Sequence, residues 1–356
     1  MMHLQNKISE GFNMSNLKID RRCVEINYII RKIENWYEKD IDKVLNIITI
    51  PYNTSLIFRT LVKKVYNEGG SILYVINGNT VDETIIKSIK TINNIEDYNY
   101  FTRSKDEKNG KLKFVTSDLV YKYKDFYDLV IYDDISAFSH KEKIEIRMLL
   151  DYLYKKCEKL LIYSVEKIFN NCKCIDMCGC INNTPFPEPR IITTRIDLTK
   201  DIPYLVYDYL KWFSQNKRTV VIHTPTKESV DRIYDYFCKV LNMSSNIRIL
   251  KIKSKKDYKI FKKISELKDK PLMIITNYIG DYLKPSELVD IIIYFSEDKY
   301  YNYKKLLYLC GKVILSKDGY GEVLFVSNSI TKDMEKAKEI ARDFNKRLWE
   351  KGILDC

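Results

Sequence analysis

Short apolar runs of strand length recur through this chain with helix-period stretches between them, and the pattern is laid down twice. The first series is Val44–Ile50, Ser71–Ile76, Lys113–Thr116, Leu129–Tyr132 and Leu160–Ser164, with amphipathic segments at Leu56–Tyr66 and Lys141–Lys156. The second is Thr219–His223, Arg248–Ile252, Leu272–Thr276, Ile291–Phe295 and Glu322–Val326. Helical patterns at Thr226–Val240, Lys256–Leu267, Tyr303–Cys310 and Thr331–Lys346 separate or follow these strands. Strands that are apolar throughout are covered on both faces, so each series predicts a parallel sheet with crossover helices. Between the series, Ile181–Pro203 holds Pro185, Pro187, Pro189 and Pro203, which suit neither a helix interior nor a central strand. The expected fold class is therefore α/β, two tandem parallel-sheet lobes with a cleft between them, divided as 1–190 and 191–356.

The longest apolar runs, Leu45–Pro51 and Ile291–Phe295, are strand-sized, so no membrane insertion is expected. The first twelve residues hold no apolar signal core. Four of the nine cysteines crowd into Cys172–Cys180, unlike a spaced disulfide framework, and a cytoplasmic address is expected. Charge is uneven: residues 191–356 hold 31 basic against 22 acidic side chains, and Lys251–Lys270 alone carries nine lysines against three acids. A basic surface on one lobe suits a polyanion such as nucleic acid, and a solvated lysine-rich face is the alternative.

Ligands of open α/β sheets bind beyond the carboxyl ends of the strands. After the first strand stands Pro51-Tyr52-Asn53-Thr54-Ser55-Leu56, with neither glycine nor lysine. A phosphate-cradling turn needs glycines so that backbone N–H groups can approach the anion, then Lys and Ser/Thr. Asn53, Thr54 and Ser55 are the weak nucleotide-binding candidates, each readable as a turn or helix cap. After the strand at 129–132 come Asp133 and Asp134, which could hold Mg²⁺ and position a water, or merely cap the next element. Cys172, Cys174, Cys178 and Cys180 could bind zinc, but one residue separates each pair where structural sites usually have two. The expectation is a metal-free, reduced cluster in a surface loop. Lys312, in Gly311-Lys312-Val313-Ile314-Leu315, offers a cation to the cleft, with no arginine beside it.

Taken together, segment order and motifs from about Arg21 to Asn345 resemble the late-competence ComFA family, DEAD/DEAH-type superfamily 2 DNA helicase-like translocases built of two RecA-like lobes. The stretch from Asp128 to Phe138 resembles the family's "DEVDAF" run, and Gly319 to Phe325 with Thr331, Met334 and Ala337 resembles its "GEVxF…T…M…A" pattern. Thr219–Pro225 is similar to the opening of the second motor lobe, and Ile274–Tyr278 with Pro285 to motif V. The departures are as specific. The family's Gly-x-Gly-Lys-Thr core falls on Tyr52–Leu56, where none of it is kept. Asp133 retains the metal-side acid, Asp134 replaces the catalytic Glu, and Ser136 the last acid. Its "TATP" segment falls on Ser164-Val165-Glu166, and its "GRxGR" on Gly311–Leu315, where one cation survives and the arginine finger is gone. The family's N-terminal four-cysteine module has no counterpart, since only Cys23 precedes the first lobe.

An arginine finger alone is worth roughly 10³–10⁵ in rate in related phosphoryl-transfer sites. The resemblance, read with its losses, implies a pseudo-helicase that grips single-stranded DNA by its backbone and needs no cofactor. The expected contacts are Asn77 and Thr80, Thr116 and Ser117, Thr224 and Thr226, Thr276 and Asn277, and the lysines Lys253, Lys255 and Lys256. A competence-machinery protein is a second implied partner. The alternatives are a divergent ATP-dependent translocase using Asp133, Asp134 and Mg-ATP, and a protein-interaction scaffold.

Overall fold

A computed structural model describes residues 14–77, 98–101, 110–136, 141–177, 185–254, 256–257, 270–278, 289–313 and 321–352. The chain divides into two compact units at 183/184, inside the proline-rich connector. Thr80, Lys255, Cys178, Cys180 and most of the charged stretch 256–267 lie outside the described residues.

The first unit opens with helix α1 (Met14–Lys39) and strand β1 (Val44–Thr49), then a 3₁₀ turn, Ser55–Phe58, that runs into α2 (Arg59–Asn67). It continues through β2 (Ile72–Ile76), β3 (Tyr98–Phe101), β4 (Leu112–Thr116) and β5 (Tyr127–Asp133). Helix α3 (Lys143–Tyr154), β6 (Cys157–Ser164) and β7 (Lys173–Met177) complete it. The seven strands lie in the order β3-β4-β2-β5-β6-β1-β7, every pairing parallel. Alternate residues of β2 serve opposite faces, as the two-residue strand period requires. Leu73 and Val75 pack with Val130, Ile162 and the buried stripe Ile146, Leu149, Leu150 and Leu153 of α3. Tyr74 faces the other way, into an aromatic layer: its ring lies 6.3 Å from Phe58 and 5.3 Å from Phe114, and Phe58 meets Tyr163 edge-on at 5.0 Å.

The second unit comprises β8 (Arg190–Thr193), α4 (Tyr204–Gln215), β9 (Thr219–His223) and α5 (Lys227–Asp235), the last prolonged by a π-helical turn, Tyr236–Val240. Then come β10 (Arg248–Ile252), β11 (Leu272–Thr276), β12 (Val289–Tyr294), α6 (Tyr303–Lys312), β13 (Val323–Ser327) and α7 (Lys332–Glu350). The strand order is β10-β11-β9-β12-β13-β8, again parallel throughout. The connector is therefore not wholly irregular: β8 lies within it. Its place at the sheet edge is what permits Pro189 immediately before it. Ahead of β8, Phe186 is held to α7 by a two-way amide exchange with Asn345 (2.6 and 2.8 Å) and by an edge-on contact with Phe344 at 5.6 Å.

At the amino end of this sheet, just before β9, Arg218 donates to both carboxylate oxygens of the fully buried Asp290 (2.6 and 2.5 Å), which also accepts the Glu322 N–H at 2.8 Å. Next to that link Gly321 has no room for a side chain, because a Cβ there would lie 1.9 Å from the Val289 carbonyl oxygen. Removing one member of a buried ion pair leaves an uncompensated charge and costs about 3–5 kcal/mol. Arg218→Ala is therefore expected to lower unfolding free energy by about that amount in urea titration. A loss under about 1 kcal/mol would show that Asp290 needs no partner.

Candidate functional site

In the first sheet β6 lies between β1 and β5, so the loops leaving the carboxyl ends of these three strands are neighbours. Their side chains are bonded to one another. Asp133 is buried at the end of β5. Its Oδ1 accepts the backbone N–H groups of Ile135 (3.0 Å) and Ser136 (2.9 Å), and its Oδ2 accepts the hydroxyls of Tyr74 (2.7 Å) and Ser136 (2.6 Å). A carboxylate offers about four lone-pair directions, and four donors use them. Burial pushes the Asp133 carboxyl up from the usual range, and these hydrogen bonds oppose the shift.

Asp134 is also fully buried and accepts a hydrogen bond from Asn77 Nδ2 at 2.7 Å. Asn77 in turn accepts one from the Ser117 hydroxyl at 3.1 Å, and its backbone N–H meets the Asp133 carbonyl at 3.0 Å. Asn77, Thr116 and Ser117 are all buried at the ends of β2 and β4. The structure thus places three expected strand-contact residues beneath the surface, two of them in one network with the second acid.

The turn after β1 is occupied by its own chain. Tyr52 adopts a left-handed φ of 62°, a strained position for a bulky residue. Its N–H reaches the Ile135 carbonyl at 3.1 Å, tying the turn to the acidic loop. The Asn53 N–H goes to Ile50 O (3.4 Å), the Thr54 N–H to Asn53 Oδ1 (2.7 Å) and the Leu56 N–H to Thr54 Oγ1 (3.2 Å). Asn53 Nδ2 also donates to Thr49 Oγ1 at 2.7 Å, and that hydroxyl donates to Met177 O at 2.7 Å. The Tyr163 hydroxyl donates to the Thr54 carbonyl at 2.9 Å, and Ser55 is buried. At the end of β6, Ser164 accepts from Asn46 (2.9 Å) and donates to Glu166 O (2.7 Å). Tyr74, Tyr163, Asn46 and Thr49 were not singled out by the sequence reading. Strand alternation fixes only which face of the sheet each serves, and their partners come from neighbouring strands and loops.

In the second sheet Thr224 is buried, its N–H on Thr276 O at 2.9 Å and its hydroxyl on Thr226 O at 3.2 Å. Thr226 caps α5 through the Ser229 N–H at 3.1 Å. The buried Thr276 hydroxyl donates to Ile252 O at 2.6 Å and accepts the Tyr278 N–H at 2.8 Å, while Asn277 follows it half-buried. Lys312, at the end of α6, is nearly buried. With burial as the larger cause, its charge helps hold the buried His223 imidazole well below its usual range. Lys253 is paired with Asp231 of α5, which Lys251 also meets at 3.0 Å, whereas Lys256 is exposed.

Cys172 is half-buried and Cys174 exposed, their sulfurs 3.8 Å apart. Cys174 belongs to β7 and not to a loop, since Leu45–Thr49 of β1 pairs with Lys173–Met177. Burial pushes the Cys172 thiol up to about 11, and the neighbouring Cys174 adds to the shift. Among the described residues no three His, Cys, Asp or Glu side chains gather as metal ligands, and no helix is long and apolar enough to cross a membrane.

If Asp133 organises this end of the sheet, Asp133→Ala strands several buried donors and is expected to cost about 3–5 kcal/mol of stability. The pH dependence has a definite sign. A carboxyl whose pKa is raised on folding stabilises most below its unfolded value and loses that contribution as pH rises through the folded value. Wild type is thus expected to lose stability relative to Asp133→Asn from about pH 4 upward in urea titrations. An unchanged difference across that range would show that the four hydrogen bonds fully offset the burial of the Asp133 carboxyl.

No family model matches the sequence, and no curated protein matches it. Solved structures do share the fold. RecG bound to a three-way DNA junction has a TM-score of 0.49 at 10% identity, over 90% of this chain and 46% of that one. This chain therefore spans less than half of that protein's length. Dbp5 of S. cerevisiae bound to RNA and ADP BeF3 has a TM-score of 0.50 at 10% identity, over 92% of this chain and 95% of its own. The architecture of the chain is that of two successive RecA-like parallel-sheet lobes, a fold it shares with Dbp5.

Proposed function

We propose that this chain is a non-hydrolysing helicase-fold protein, a degenerate relative of the ComFA translocases that binds single-stranded DNA along its backbone. The observation that carries the first half is the turn after β1. Four of its amides, at Tyr52, Asn53, Thr54 and Leu56, already have acceptors within the chain. An anion cradle works by presenting such amides to the ligand. The saturated Asp133 carboxylate supports the same reading, because Mg²⁺ takes oxygen ligands and would have to displace hydrogen bonds already made. The DNA half is supported by the basic second half of the sequence and by a similar fold having been captured on RNA.

Calorimetric titration of the full chain with a non-hydrolysable ATP analogue and Mg²⁺ is expected to give no measurable heat of binding. A dissociation constant in the micromolar range would reverse the proposal in favour of a divergent translocase.

For DNA, binding is expected to be indifferent to sequence and steeply salt-dependent, each lysine–phosphate contact adding a slope of roughly −0.7 in log K against log salt. The ion pairs divide the lysines. Lys256→Gln is expected to flatten the slope by about 0.7, whereas Lys253→Gln leaves it unchanged because Asp231 already offsets that charge. Fluorescent oligonucleotide titrations at several salt concentrations read both. Absence of binding by wild type at low salt would remove nucleic acid and leave a protein partner.

A further inference from the structure

The connector from β4 to β5 and helix α3 cross the same face of the first sheet, and parallel strands make both run the same way. Val120 anchors the connector in the core beside the buried stripe of α3, and the buried Tyr127 anchors its other end. Between these points it is tied to α3 and to the turn after it. The Tyr121 ring lies 5.0 Å from that of Tyr152, whose hydroxyl donates to Tyr123 O at 2.9 Å. Lys156 Nζ donates to Lys124 O at 2.7 Å, and the Tyr127 N–H reaches Lys156 O at 2.9 Å. The connector is thus held firmly, yet Tyr121, Phe126 and Tyr154 remain 52%, 59% and 43% exposed. A lone exposed ring is ordinary, but a group of rings on a fixed strip marks an interaction surface.

The same strip is basic. Among the described residues Lys122, Lys124 and Lys155 meet no carboxylate, and the Lys43 ammonium lies over the Tyr154 ring at 4.5 Å. The acids of the connector, Asp118 and Asp125, are already taken by Lys141 at 2.5 Å and Lys113 at 3.1 Å. Asp151 of α3 and Glu158 of β6 are the exposed acids that oppose this charge.

We infer that this strip is a stacking surface for single-stranded nucleic acid, with Tyr121 and Phe126 as platforms for bases and Lys122, Lys124 and Lys155 set for phosphates. Unpaired bases offer flat faces that any exposed ring can meet, whatever the sequence, while interleaved cations track the backbone. A duplex has its bases already stacked on one another and presents no such faces. The inference shares the class of partner with the reading above and rests on it to that extent. The surface is a different one: it lies on the first unit, and it reads bases where Lys256 would read only charge.

The test uses the full chain with fluorescent oligothymidine and an abasic strand of the same length. Tyr121→Ala/Phe126→Ala is expected to weaken oligothymidine binding at least fivefold, since each base–ring stack is worth roughly five- to 150-fold. The salt slope stays as in wild type, and the abasic strand binds both proteins alike. Tyr121→Phe keeps the ring and the affinity, and serves as the folded control. Lys122→Gln/Lys124→Gln is expected to flatten the slope by about 1.4. Photocrosslinks from 5-iodouracil strands, mapped by mass spectrometry, are expected at Tyr121 or Phe126. Unchanged affinity in the double ring variant overturns the proposal, as does capture of the chain by phosphatidylserine vesicles with no oligonucleotide binding. Should the ring variant weaken binding while Lys256→Gln alters nothing, this surface stands and the contact at Lys256 falls. The converse result removes this surface and leaves that contact.

Discussion

A carboxylate taken out of water has to be met by donors, and the first unit is arranged around how Asp133 meets this demand. Tyr74 reaches it from β2, and the two residues after Asp134 fold back on it with their backbone amides. Ser136 supplies a hydroxyl as well. The loop so fixed leaves the Ile135 carbonyl where the Tyr52 N–H can take it, and the turn after β1 is held in consequence. Tyr74 can do this only because Phe58 and Phe114 keep its ring in the aromatic layer. Packing on one face of the sheet therefore sets the polar order at its carboxyl end.

Ser136 shows why a substitution that reads as loss in the sequence reads as gain in the structure. Where the resembling family has an acid, this chain has a hydroxyl that donates to Asp133 at 2.6 Å. A second carboxylate there would face Asp133 with like charge, and like charges this close cannot both ionise cheaply. Asn77 donates to Asp134 and is itself held by the Ser117 hydroxyl. Two of the residues expected to touch a strand of DNA, Asn77 and Ser117, are here bonded in the network of Asp134.

Two central strands were legible to the residue: Thr219–His223 and Leu272–Thr276 have the limits that their apolar runs suggest. Burial on both faces leaves only one kind of sequence for such strands. Of the edge strands, β10 was legible, but β7 and β8 were not. In β7 only Ile175 and Met177 are buried, and in β8 none of the four residues is, so both read as loop. Helix α4 was missed, although Val206, Leu210 and Phe213 form a buried stripe at helical spacing. Of the site, the absence of glycine and lysine after β1 was plain in the sequence. What fills the space was not, since it depends on Ile135, Tyr163 and Met177, brought in by the sheet order and not by chain proximity. Charge placement was not legible either: Lys251 and Lys253 both meet Asp231 of α5, a pairing that a count of charges along the chain does not show.

The closed turn and an open cradle are exclusive states of the same atoms. To present amides to a phosphate, Tyr52, Asn53, Thr54 and Leu56 would have to release four existing acceptors. Each such bond is worth about 0.5–1.5 kcal/mol net, so opening costs several kcal/mol before any ligand contact is made. The left-handed Tyr52 works the other way, storing of order 1–3 kcal/mol that opening would release. The balance still favours closure, because the Thr54 carbonyl and the Thr49 hydroxyl would lose their ties to Tyr163 and Asn53 as well. A glycine-rich turn has no side chains with which to satisfy itself, and so remains open for an anion. This turn carries Asn53 and Thr54, each able to accept from the backbone two residues away or nearer, and those side chains are what close it.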